Sequence, residues 1–204
     1  MAHVPMLFDI DGTLIDSRLV VEEAWRDVAA RFGADANAIL RTCHGRRDED
    51  VVADFFPPDV HAAVVGRIAA VEQDRAADVV AMPGARRLLT GLPHGTWAAV
   101  TSGSRRLMTA RLEGAGLPVP EVLIAAEDVR FGKPHPEGYL AAAGLLGADI
   151  GRCVVVEDSP TGVAAGRAAG AFVVGLGPDP SGLTGADVVV GSLAEVVHAV
   201  RERR

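Results

Sequence analysis

Apolar runs that do not alternate constrain this chain more than any other feature. Trp97-Ala98-Ala99-Val100, Val154-Val155-Val156, Phe172-Val173-Val174 and Val188-Val189-Val190 are apolar throughout. A strand with one wet face alternates apolar and polar residues. A strand apolar on every side must be covered on both faces, as in a parallel sheet held between two helical layers. The intervening segments 83–92, 104–113, 135–146 and 160–169 carry helical patterns, and a further strand is predicted over 122–125. Ser192 and Glu195 have capping-box spacing for a last helix. The expectation is an α/β fold with a parallel sheet and helices on both faces.

The first strand precedes all of these. Val4, Met6, Leu7, Phe8 and Ile10 make a short buried run that Asp11-Gly12-Thr13 ends with turn chemistry. From residue 16 to 80 no strand-like run occurs. Val21, Ala24, Trp25, Val28, Ala29 and Phe32 recur at helical spacing before Gly33. Further helical pieces are predicted over 36–42, from Asp48 to the Pro57-Pro58 stop, and around Val60, Val64, Ile68 and Val71. Residues 16–81 therefore read as an all-helical insertion after the first strand, and residues 1–15 and 82–204 as the core.

Charge and composition exclude several classes. A net charge of −7 argues against a nucleic-acid surface, which needs clustered positive charge. No apolar stretch approaches the ~20 residues of a membrane span, and no secretory leader is legible at the N-terminus. Cys43 and Cys153 follow no metal-ligand or redox spacing, which suits a reducing compartment. A cytoplasmic monomer without nucleic-acid or membrane partners is expected.

Ligands of open parallel sheets sit beyond the carboxyl ends of the strands. Polar residues collect there: Asp9 and Asp11 after the first strand, Thr101 and Ser102 after the second long run, Glu157 and Asp158 after the valine run. Strand alternation would turn Asp9 and Asp11 the same way, and two carboxylates so placed need a cation, a shared proton or solvent. Lys133, between Gly132 and Pro134, is the only lysine; every other member of the Lys and Arg set is arginine. A lone lysine suggests that a compact point charge is required. Each residue alone has a plain structural explanation: Asp9 and Asp11 as solvated strand ends, Thr101 as a cap, Lys133 as a loop residue, Glu157 and Asp158 as dipole partners. Together the acids form a hard oxygen set suited to Mg²⁺, and a helix N-terminus after Thr101 and Ser102 suits an anion.

The segments FDIDGTLIDS, VTSGS, GKPHPEGYL and VVVEDSPTGVAAGRAAGA resemble the four motifs of the haloacid dehalogenase superfamily, whose core is Rossmann-like and whose small helical cap follows the first motif. HGRRDEDVV, TWAAVTSGSRR and FGKPHPEGYL are most similar to its sugar-phosphate and polyol-phosphate phosphatases. The resemblance implies Asp9 as nucleophile and Asp11 as general acid and base. It also implies Thr101, Ser102 and Lys133 on the phosphate, and Mg²⁺ held by Asp9, Asp11 and Asp158 with Glu157 as ligand or neighbour. The substrate would be a small phosphate monoester, its identity read by the cap loop His44-Gly45-Arg46-Arg47, where contacts to hydroxyls or a second anionic group are expected.

Related chemistries fit less well. Haloalkanoate dehalogenases lack the second aspartate, which is present here as Asp11. Phosphonate-cleaving relatives use a cap lysine, and residues 16–80 contain none. β-Phosphoglucomutases carry a histidine where this chain has Val21. A sugar phosphomutase and a non-catalytic phospho-sugar sensor stay as alternatives.

Overall fold

The computed structural model describes residues 4–202. Strand β1 (Met6–Phe8) is followed by β2 (Ile15–Asp16), then by helices α1 (Arg18–Phe32), α2 (Ala36–Leu40), α3 (Asp48–Phe55) and α4 (His61–Asp74), then by β3 (Val80–Ala81). The remainder alternates: α5 (Ala85–Thr90), β4 (Trp97–Val100), α6 (Arg105–Gly114), β5 (Leu123–Ile124), α7 (Glu137–Leu145), β6 (Val154–Glu157), α8 (Pro160–Ala169), β7 (Phe172–Leu176), β8 (Val188–Val190) and α9 (Leu193–Glu202). Six strands pair in parallel in the order β5-β4-β1-β6-β7-β8. Among the described residues no helix is long and apolar enough to cross a membrane.

The unalternating runs explain the two-sided sheet. Met6, Phe8, Ala99, Val154 and Val156 enter a core with Leu88 of α5, Met108 of α6 and Val196 of α9. Leu7, Ala98, Val100 and Val155 enter the opposite core with Tyr139 of α7 and Val163 of α8. Small residues on α8 let it approach closely: a Cβ at Gly166 would lie 2.9 Å from Val173 and 3.0 Å from Val155. Cys43 and Cys153 are buried in separate clusters.

Helices α1 to α4 enclose a third core of their own, with Ala24, Trp25, Val28, Ile39, Val51, Val64 and Ile68 at its centre. Gly33, at φ 77°, closes α1 in the left-handed region. The helical reading of 16–80 overlooked both ends of that segment. Ile15 pairs with Ala81 and Asp16 with Val80 in a short antiparallel ribbon. Two-residue strands are too short to show an alternating pattern. The ribbon brings the outgoing and returning chains side by side, so the helical segment meets the sheet domain through two adjacent connections.

Because α1 to α4 share their own core, a cavity there should loosen them before the sheet. Ile68→Ala, at a fully buried position, is expected to cost about 2–5 kcal/mol in urea unfolding. Amide exchange should accelerate more in α1 and α4 than in β1 and β6; uniform acceleration would contradict a separate core.

Candidate active site

The site lies where the strand order turns about β1. Phe8 stands opposite Ala99 on one side and Val156 on the other. The next residues, Asp9, Val100 and Glu157, therefore sit level along the carboxyl edge. Such a switch point leaves a crevice, since successive crossovers go to opposite faces.

Lys133 fills the centre of that edge. Its ammonium donates to Asp9 Oδ1 at 2.5 Å, Glu157 Oε1 at 2.6 Å and the Val100 carbonyl at 3.3 Å. Three donors meet three acceptors, all buried, which a compact ammonium can do and a planar guanidinium cannot. Burial pulls the Lys133 ammonium down, but Asp9 and Glu157 outweigh it and hold the group above the usual lysine range. Asp9 remains under-compensated. Burial pushes Asp9 up, to about 7; Lys133 resists the rise, while Glu157 and Asp11 add to it. Asp158 is raised by burial, then by Asp9 and Glu157.

Glu157 is enclosed on every side. Oε1 also accepts from the Tyr139 hydroxyl at 2.7 Å, and Oε2 accepts from the Ser159 hydroxyl at 3.1 Å and the Asp158 N–H at 3.1 Å. Ser159 in turn caps α8 by accepting from the Gly162 N–H at 3.0 Å. A Cβ at Gly162 would fall 1.7 Å from Glu157 Oε1, so the helix start and the buried acid share one space. Asp158 is left with a long contact from the Thr13 hydroxyl at 3.5 Å. It lies over Gly12, where the chain turns at φ 85° and a Cβ would come within 2.0 Å of Asp158 Oδ2. Asp9, Glu157 and Asp158 each offer a carboxylate oxygen, all within 4.8 Å of one another. Hard oxygen donors, a charge deficit and the clearance at Gly12 fit a divalent cation.

Asp9 and Asp11 do not share a partner, as strand alternation would suggest. Pairing ends at Phe8, and the chain folds back so that Gly12 N–H reaches the Ile15 carbonyl at 2.8 Å. Asp11 Oδ1 instead accepts from Arg111 on α6 at 2.9 Å. Arg111 is fully buried and also donates to Glu72 of α4 at 3.2 Å. Burial pulls its guanidinium down, and Asp11 and Glu72 more than restore it. One arginine thus ties the sheet domain to the helical segment through two carboxylates.

Above this pair lies a cavity of about 300 Å³ between sheet domain and helices. Asp11, Gly12, Ser102 and Asp158 line it from below, and Val21, Trp25, His44, Gly45, Asp48 and Glu72 from above. The helical loop presses directly on the strand ends. The Ser102 hydroxyl donates to the Gly45 carbonyl at 2.9 Å, and a Cβ at Gly45, where φ is 74°, would lie 2.3 Å from Ser159 Oγ. The Thr101 hydroxyl accepts from the Gly103 N–H at 3.1 Å.

His44 and Gly45 therefore reach the cavity with Asp9's neighbours, whereas the two arginines of the loop take other partners. Arg46 donates to Asp54 at 2.7 Å and to the Asp50 carbonyl at 3.2 Å. Arg47 donates to both Asp50 oxygens, at 2.9 and 3.0 Å, and to the Arg130 carbonyl at 3.3 Å. Arg47 borders a narrow cleft with Thr101, Ser102 and Lys133, and packs over Gly132, where a Cβ would meet it at 2.6 Å.

Residues 6–170 match the family model of haloacid dehalogenase-like hydrolases. The chain belongs to that family. It is 40% identical over 197 residues to hexitol phosphatase A of Escherichia coli, covering 93% of this chain and 91% of that one. It is 37% identical over 217 residues to 2-deoxyglucose-6-phosphate phosphatase 1 of Saccharomyces cerevisiae, covering 93% and 88%. Among solved structures, a hydrolase from Pseudomonas syringae superposes with a TM-score of 0.88 at 25% identity, covering 98% of this chain and 99% of that one. The resemblance to sugar- and polyol-phosphate phosphatases is thus borne out at the level of the family and its named relatives.

Four residues of the site were not legible as such in the sequence. Arg111 and Glu72 have the spacing of ordinary helix residues, Asp48 reads as a first-turn acid, and Tyr139 as core. An arginine on the inward stripe of α6, beside Leu107, Met108 and Leu112, was the available signal. Removing the central cation is expected to be costly. Lys133→Met should destabilise the metal-free protein by about 3–5 kcal/mol in denaturant unfolding, by leaving Asp9 and Glu157 uncompensated. An unchanged midpoint would show that the two acids are not held as buried charges.

Proposed function

We propose that this hydrolase is a Mg²⁺-dependent phosphatase of small phosphorylated sugars or polyols, working through an aspartyl phosphate on Asp9. One observation carries the reading. The Asp9 carboxylate stands at the carboxyl end of the central strand, held by Lys133 at 2.5 Å beside Glu157 and Asp158, the last of which lines the cavity with Asp11. The names and activities of the relatives agree with it.

In this reading Asp9 attacks phosphorus from Oδ2 or Oδ1 as the bond from phosphorus to the leaving oxygen breaks. Asp11 gives that oxygen its proton. Asp11 then takes a proton from the incoming water, whose oxygen attacks phosphorus, releasing phosphate and restoring the Asp9 carboxylate. Lys133 and Thr101 hold phosphate oxygens, and the ammonium offsets charge on Asp9 and the phosphoryl group. The Ser102 hydroxyl serves the closed position of the loop through Gly45. Mg²⁺, held by Asp9, the Asp11 carbonyl and Asp158, would supply positive charge for the phosphoryl oxygens. Glu157, with both oxygens already engaged, orients Lys133 and Ser159 from behind that position. Residues 16–81 act as the cap, whose closure excludes water.

The mutase alternative gains no support from the cavity. Val21, at the position where those relatives carry histidine, lines it with an apolar side chain. Asp9→Asn is expected to lower phosphate release from glucitol 6-phosphate by roughly a thousandfold or more with an unchanged circular dichroism spectrum; full turnover would overturn the mechanism. The metal can be tested through protonation. Asp9 and Asp158 hold protons more tightly folded than unfolded, so the metal-free protein loses stability as pH rises from about 4 through about 7. Mg²⁺ displaces those protons, so its gain in thermal midpoint over chelator should be larger at pH 8 than at pH 5. An equal gain at both would argue against a site on these acids.

A further inference from the structure

The cavity above Asp11 carries charge of one dominant kind. Asp48, at the first position of α3, and Glu72, on α4, face it from the helical side, and Asp11 and Asp158 from the strand side. Two guanidiniums also line it, and both are committed. Arg111 is shared by Asp11 and Glu72, and Arg18 pairs with Asp16 at 3.1 Å near the rim. The arginines of the loop, where a second anion was expected, are tied to Asp54 and Asp50 instead.

The Asp48 side chain is half-buried in the wall of this cavity and makes no hydrogen bond among the described residues. Burial, then Glu72, raises its carboxyl well above the ordinary range. Arg111 Nε is buried and without an acceptor, the one such side-chain atom among the described residues. That nitrogen is sealed from the cavity, so the group left open to a ligand is the Asp48 carboxyl. A hydroxyl suits it in either protonation state, since it both donates and accepts. A carboxylate or phosphate would instead enter an acid-lined space whose two guanidiniums are already paired. Val21, Trp25 and Met108 supply apolar wall for the carbon chain between hydroxyls.

We infer that Asp48 and Glu72 are specificity-determining residues that read hydroxyls of the leaving group, and that the site takes neutral polyhydroxylated alcohols and rejects those bearing a second anionic group. This rests on the phosphatase reading above and narrows it. It reverses the expectation that the arginines of the loop could serve a second anion.

The test compares kcat/KM for glucitol 6-phosphate and 6-phosphogluconate, which differ at the far carbon by an alcohol against a carboxylate. The unaltered protein is expected to prefer the former by about tenfold or more. Asp48→Asn, which keeps the shape and removes the acid, should narrow that ratio by about fivefold, and Glu72→Gln should narrow it in the same direction. Merely structural damage would lower both substrates in proportion and leave the ratio unchanged. Equal use of the two substrates by the unaltered protein would overturn this inference and leave the phosphatase standing. Turnover of neither would overturn both. A strong preference untouched in both variants would overturn the assignment to Asp48 and Glu72.

Discussion

The contact on which the rest of the site depends is the buried ammonium of Lys133 between Asp9 and Glu157. Neither carboxylate could remain charged in that position alone, because the loss of hydration exceeds anything the surrounding apolar core returns. The lysine makes the acids possible, and the acids make the lysine possible. Asp9 follows β1, Glu157 ends β6 and Lys133 comes from the connection after β5, so the three meet only when β5, β4, β1 and β6 are in register. Register in this sheet is strongly specified, because a slip of one residue would exchange the two apolar cores. The charge cluster is therefore positioned by apolar packing, with no contribution from its own attraction required.

Charge is still left over. Burial pushes both Asp9 and Asp158 up, Glu157 and Asp11 adding to the rise at Asp9 and Asp9 and Glu157 to that at Asp158, which describes a site short of one positive charge. A divalent cation answers that deficit and also orders the oxygens around it. Glu157 is removed from direct competition by Tyr139, Ser159 and the helix start at Gly162. The same glycine-lined closeness recurs where Gly12 meets Asp158 and Gly45 meets Ser159. At each place backbone approaches a polar side chain too nearly for any Cβ.

Over the site the helical segment meets this centre across a polar seam, Ser102 to Gly45, Arg47 to the Arg130 carbonyl and Arg111 to Glu72, while at its base Val20, Ala76 and Val79 pack into a core of the sheet. Its own apolar core stays within residues 24–68. The arginine that bridges the seam also holds Asp11, so the position of the helices and the surroundings of that carboxylate are physically coupled.

Much of this was legible in the residues. Runs of valine apolar on both sides can be satisfied only by a doubly covered parallel sheet, and acids, hydroxyls and one lysine at the ends of those runs must then gather at one edge. Local patterns carried that far because they are properties of single strands and helices. The divergence of Asp9 and Asp11 was not legible, since it depends on pairing ending at Phe8 and on a cation arriving from α6. Nor were Arg111, Glu72 and Asp48, which lie far apart in the chain, look like ordinary helix residues, and acquire their meaning only when α3 and α4 close over α6. The partners of Arg46 and Arg47 followed the same rule. By itself the sequence determined the sheet, the family and the chemical groups at the strand ends; tertiary structure alone decided which charges face one another, because that depends on how two separately packed bodies meet.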